Sequence, residues 1–228
     1  MKKLFLIILA SSSLVYTQNG QTERINSWFD FNGSYKFDEQ WKLYGDAGYR
    51  TVFINNKFHR FYIRPSGSFQ LNPIFILHGG IALFTTFDKN NTLWEIRPFQ
   101  GVEVNWPKVF SINLNHYFRS EERFFQVNTI NSFLLRLRYR LGTTIRYSQS
   151  KSEQYFYTPL QLEWFVSYGS DINFQLNEIR AVIGLGYVID TSWKVEFNTI
   201  LDNLSASSDL FVFKDLVLRF RVYKEFNP

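Results

Sequence analysis

Charged residues in this chain recur at every second position, and the spacing matters more than the number. Glu95 and Arg97, Arg119 with Glu121 and Arg123, Arg136 with Arg138 and Arg140, and Glu178 with Arg180 are each two residues apart, and Glu163 stands between apolar neighbours. In an extended strand, residues two apart share one face. These side chains therefore form rows of guanidinium and carboxylate groups, suited to cross-strand forked ion pairs or to attracting anions. The candidate site is this network: Glu95, Arg97, Arg119, Glu121, Arg123, Arg136, Arg138, Arg140, Glu163, Glu178 and Arg180. Carboxylate pairs such as Glu95 with Glu103 have better partners in these arginines than in acid–base chemistry.

Other chemistry is poorly supplied. There are three histidines, His59, His78 and His116, and no cysteine. His59 and His116 fall on the apolar phase of their strands and His78 on the charged phase. A hydrolase on a barrel wall needs a Ser–His pair with an orienting group, and no outward serine stands in such a motif. The expectation is therefore no enzyme, with a lipid hydrolase as the remotest alternative. No Gly-rich phosphate loop and no metal-ligand spacing occurs, so no cofactor or metal is expected. The net charge is +5, but basic residues are spread over alternate strand positions. Nucleic acid is therefore not expected as a partner.

The elements that carry these rows are strands. From Ile25 to Phe37 the odd positions are mainly apolar and the even ones are mainly polar. The pattern recurs to Phe226, and no helical period competes with it. Eleven segments are read, roughly 25–37, 41–54, 58–70, 74–87, 93–106, 109–123, 131–147, 155–168, 174–189, 193–201 and 210–226. Longer polar connections are placed at 124–130, 148–154 and 202–209. Most segments meet the ~9–11 residues that cross a bilayer at a tilt. Bacterial barrels usually have an even strand number, so twelve strands are expected, with ten as the fallback. The weakest stretches are Gln18–Arg24 and Asn198–Asp215.

Aromatics make up 19% of the residues, yet mean hydropathy is only −0.19. A barrel with an apolar exterior and a polar interior reconciles the two. An Arg or Lys facing mid-bilayer lipid costs about 2–4 kcal/mol, so the charged phase must face the lumen. It holds sixteen basic residues (the network's seven arginines with Lys36, Lys42, Arg50, Arg60, Arg64, Arg146, Lys194, Arg219 and Arg221) against eight acidic ones, Asp30, Asp46, Glu95, Glu103, Glu121, Glu163, Glu178 and Glu196. Lys224 lies on the other phase, at a strand end.

Met1-Lys2-Lys3 followed by the apolar run Leu4–Ala10 and three serines reads as an export signal. The division is 1–17 signal peptide and 18–228 barrel. The last strand, Val217–Phe226, resembles the signal read by the barrel assembly machinery. The fold expected is an all-β, transmembrane up-and-down antiparallel β-barrel in the outer membrane of a Gram-negative bacterium. Its partners would be outer-membrane lipid, the assembly machinery during biogenesis and, in the pore alternative, a small anionic solute.

The order of several short motifs adds a resemblance. Trp28, Trp94-Glu95-Ile96-Arg97-Pro98-Phe99-Gln100, His116-Tyr117-Phe118-Arg119-Ser120-Glu121-Glu122-Arg123-Phe124, Arg136-Leu137-Arg138-Tyr139-Arg140-Leu141, Glu163, and Asn177-Glu178-Ile179-Arg180 before Gly184-Leu185-Gly186-Tyr187 follow in sequence. Together they resemble the domain-of-unknown-function family twenty-four-ninety, exported barrel-like proteins common in Bacteroidetes-type bacteria. The resemblance implies an uncharacterised, porin-like outer-membrane barrel and supplies no catalytic residue. Two roles are compatible with the sequence: a narrow scaffold filled by Arg/Glu pairs, taken as the main reading, and a small anion-favouring pore or transporter.

Overall fold

The computed structural model describes residues 24–52, 58–88, 91–107, 113–127, 130–147, 154–169, 172–202, 205–207, 210–212 and 215–226. The export signal read at 1–17 lies outside the described residues. All described elements are strands: β1 (Arg24–Lys36), β2 (Trp41–Val52), β3 (Phe58–Gln70), β4 (Phe75–Asp88), β5 (Asn91–Asn105), β6 (Asn115–Val127), β7 (Ile130–Arg146), β8 (Tyr155–Gly169), β9 (Ile172–Val188), β10 (Trp193–Asp202), β11 (Ser205–Ser207), β12 (Leu210–Val212) and β13 (Asp215–Glu225).

Eleven of these close a barrel in the order β1-β13-β10-β9-β8-β7-β6-β5-β4-β3-β2. This corrects the expected twelve strands, and the fallback of ten. With an odd number of up-and-down strands, the first and last run in the same direction. They close the wall as a parallel pair, from Arg24 opposite Asp215 to Ser34 opposite Glu225. Every other neighbouring pair in the barrel is antiparallel. The parity rule on which the expectation rested is a tendency, and a parallel pair costs only slightly in stability per residue.

Two further boundaries move. The sixth strand begins at Asn115 rather than 109, and the connection read at 124–130 is strand at 124–127 and at 130, because β6 and β7 stay paired out to Val127 and Ile130. The last segment is divided. β11 and β12 pair only with each other, off the barrel, and β13 starts at Asp215.

Three tight turns at one end share one device. Asp38 Oδ1 accepts from Gln40 N and Trp41 N, Asn72 Oδ1 from Ile74 N and Phe75 N, and Asp190 Oδ1 from Ser192 N and Trp193 N. Short Asp and Asn side chains satisfy turn backbone in this way. Prolines inside strands leave marks in the wall. Pairing skips Pro65 between β3 and β4, Pro98 between β5 and β6, and Pro159 between β8 and β9, as expected where a residue has no N–H to donate. A register shift in β8/β9 places Phe165 opposite Glu178 but Val166 opposite Leu176, so Asn177 is bulged.

The faces are inverted relative to a water-soluble barrel. Glu121 and Glu95 are 0% and 1% exposed, whereas outward Phe29 and Trp94 are 52% and 56% exposed. Inside, Trp28, Val182, Ile200 and Val217 form one apolar cluster and Tyr62, Ala82 and Phe84 another. Inward Gly186 makes room for the Tyr157 ring, which occupies the space a Cβ would need.

Candidate functional site: an ionic belt inside the barrel

The β5–β6–β7 register brings the predicted rows together. Phe99 pairs with Glu121, which pairs with Arg136 across β6/β7, and Arg119 lies opposite Arg138. Glu95 is the first hub. Its Oε1 accepts from Arg97 Nε (2.8 Å), Arg97 Nη2 (2.6 Å) and Arg123 Nε (2.7 Å), and its Oε2 accepts from Arg60. Glu121 is the second hub. Its Oε2 meets Arg136 Nη2 at 2.6 Å and Arg97 Nη1 at 3.3 Å, and its Oε1 lies 2.9 Å from Arg119 Nη2. Arg97 thus bridges both carboxylates. Stacked rings support the belt: Arg97 and Arg60 each lie 4.3 Å from the Phe84 centroid, and Arg119 lies 3.9 Å from that of Phe99.

A second group lies on β7–β10. Glu163 accepts from Arg138 and lies 3.3 Å from Arg180 Nη1. Arg180 also donates to Glu178 Oε1 (2.6 Å) and Asp202 Oδ2 (2.9 Å). Arg140 is held more loosely. It donates to Asn115 Oδ1 at 3.4 Å, and Glu103 is 4.0 Å away. All eleven residues of the predicted network therefore face the lumen, ten of them in the two tight groups and Arg140 at their margin.

Further luminal groups complete the set. Arg64 holds Asp46 through two bonds of 2.7 Å, and the Tyr62 hydroxyl lies between Asp30 (2.7 Å) and Asp46 (2.8 Å). Arg219 donates to Asp30. Glu196 is contacted by Arg221 (3.4 Å) and by the hydroxyls of Tyr157 (3.0 Å) and Tyr223 (3.2 Å). His78 faces inward beside Glu103 (3.4 Å). Outward His59 and His116 bond to the hydroxyls of Tyr49 (2.5 Å) and Tyr139 (2.7 Å).

The phase reading missed three members. Asp202 continues the even phase of β10, and Glu225 continues the phase of Arg219 and Arg221, pairing with Lys42 at 3.3 Å. Both were legible by extending the alternation to the strand ends. They make the luminal excess of positive charge smaller than expected. Tyr62 carries no charge, so charge patterning could not flag it. The doublet Glu121-Glu122 resolves by direction: Glu121 faces inward, and Glu122 faces outward, accepting from Gln100 Nε2 at 2.9 Å on the neighbouring strand.

A closed β-barrel with ion-paired carboxylates at its centre is the class of protein defined by this fold and site. The chain belongs to the family described as "Protein of unknown function (DUF2490)", whose model matches residues 25–209. No curated protein and no solved structure matches it.

Proposed function

We propose that this protein is an outer-membrane β-barrel of a Gram-negative bacterium that serves as a rigid scaffold and does not conduct, its lumen closed by the Glu95–Glu121 belt. The inversion of its faces carries the reading. A closed barrel with buried carboxylates inside and large apolar side chains exposed all around needs an apolar medium outside. Of the outward tryptophans, Trp41, Trp106 and Trp193 lie at the tight-turn end, Trp94 near the other and Trp164 between them, a distribution weighted toward two bilayer interfaces.

The scaffold reading is favoured over a pore by side-chain exposure. The carboxylates of Glu95 and Glu121 have none, and Arg97 and Arg119 have 7% and 4%. A wetted pore would leave these groups partly hydrated. The N-terminal apolar run and the alternating last strand support export and delivery to the barrel assembly machinery.

The chain has no cysteine, so single cysteines test the location cleanly. Ile183→Cys or Leu83→Cys in intact outer membranes should resist a water-soluble maleimide and react fully after denaturation. Rapid labelling in the membrane would overturn the assignment.

A further inference from the structure

The lumen is not packed along its whole length. A cavity of about 770 Å³ occupies part of it and reaches the tight turn at Asp190–Ser192. This lies within the ordinary range of small-molecule sites, about 300–1,000 Å³. Trp28, Phe99, Val182 and Ile200 line its apolar portion, and neither Glu95 nor Glu121 contributes to it. The chamber adjoins the belt and shares Phe99 and Arg119 with it, while the two hub carboxylates lie outside its lining.

Eleven Lys or Arg side chains line it against five Asp or Glu, and Arg119, Arg180, Arg219 and Arg221 are paired with carboxylates set behind the lining. Others are poorly neutralised. Among the described residues, Lys194 and Arg50 have no carboxylate within 4.0 Å. Lys194 Nζ rests 4.3 Å from the Tyr223 centroid, and the Arg50 guanidinium rests 4.0 Å from that of Trp28. Arg140 has Glu103 only at 4.0 Å. Guanidinium forks in a confined, weakly hydrated space recognise oxyanions strongly.

We propose that this chamber is a binding site for a small polyanion, an inorganic or organic molecule with two or more phosphate or carboxylate charges. It rests on the reading of the interior as a closed lumen, entered here from the tight-turn end. Arg140 and Lys194 are the principal ligand-binding groups, because neither is committed to a tight internal ion pair.

The test is calorimetric titration of the refolded full barrel with pyrophosphate and with citrate, using acetate as the singly charged control. One site per barrel is expected for pyrophosphate or citrate, at least tenfold tighter than for acetate and weakened at least tenfold between 0.1 and 0.5 M salt. Arg140→Gln and, separately, Lys194→Gln should each weaken it about tenfold. Arg146→Gln, whose side chain does not line the chamber, should change it less than twofold. Circular dichroism establishes that each variant folds. Absence of binding by the folded wild type, or binding unchanged in both chamber variants, would overturn the proposal. A silent barrel that binds no polyanion sinks the chamber alone, whereas a conducting barrel that binds pyrophosphate retains the site and sinks the closed lumen alone.

Discussion

The belt and the chamber are built from the same side-chain types on the same strands, and they differ in what fills the space between the charges. In the belt, Arg97 bridges Glu95 and Glu121, and Phe84 and Phe99 stack against its guanidinium groups. In the chamber, lined by rings such as Trp28 and Tyr223 as well as by small residues such as Ser34 and Ser68, an open volume of about 770 Å³ remains between the charges, and Arg140 and Lys194 have no carboxylate closer than 4.0 Å among the described residues. An ionic interior is therefore not in itself a pore or a plug. Neighbouring residue volume and the carboxylate supply decide which it becomes.

The sharpest contrast should appear on deleting one carboxylate from each region. Glu121→Ala removes the carboxylate partner of Arg119 and Arg136 and leaves Arg97 with Glu95 alone, and breaking such a buried group is expected to destabilise by about 3–5 kcal/mol. Glu103→Ala, from the chamber margin where partners stand at 3.4–4.0 Å, should cost no more than about 1 kcal/mol. Urea unfolding of both refolded variants gives the two values. Equal losses would dissolve the distinction between belt and chamber.

A smaller effect is expected where inward packing is tight. Gly186→Val forces a side chain into the Tyr157 ring and should cost about 1–3 kcal/mol through overpacking. The double variant Gly186→Val, Tyr157→Ala should recover part of it, and no recovery would mean the glycine serves another purpose. The smallest effect is on the outer wall. Glu122 is an outward carboxylate near the middle of β6, bonded among the described residues to Gln100 alone. On the proposed lipid face, Glu122→Leu should leave stability unchanged or raise it by up to about 1 kcal/mol. A clear loss would show that this pair holds the wall or a partner.

The two faces of each strand were legible because alternation is a local property. Arg136, Arg138 and Arg140 face inward as their spacing requires, and Leu135, Leu137 and Tyr139 face outward. The strand total was not legible in the same way. It depends on which edges finally meet, and no residue of β1 or β13 announces a parallel partner. The short strands β11 and β12 were obscured because they pair with each other and with no strand of the barrel. The division of the interior into belt and chamber was also hidden. It arises from contacts such as Arg97 with Glu121 and Phe84, which join neighbouring strands and follow from register rather than from spacing.

In the proposed scaffold the belt closes the lumen. Single-channel recording of the refolded mature protein in a planar bilayer under a salt gradient tests it most directly. A folded, heat-modifiable barrel should insert and stay silent. Steady openings with an anion-selective reversal potential, abolished or altered when Arg136, Arg138 and Arg140 are neutralised, would contradict it and make those arginines the lining of a pore.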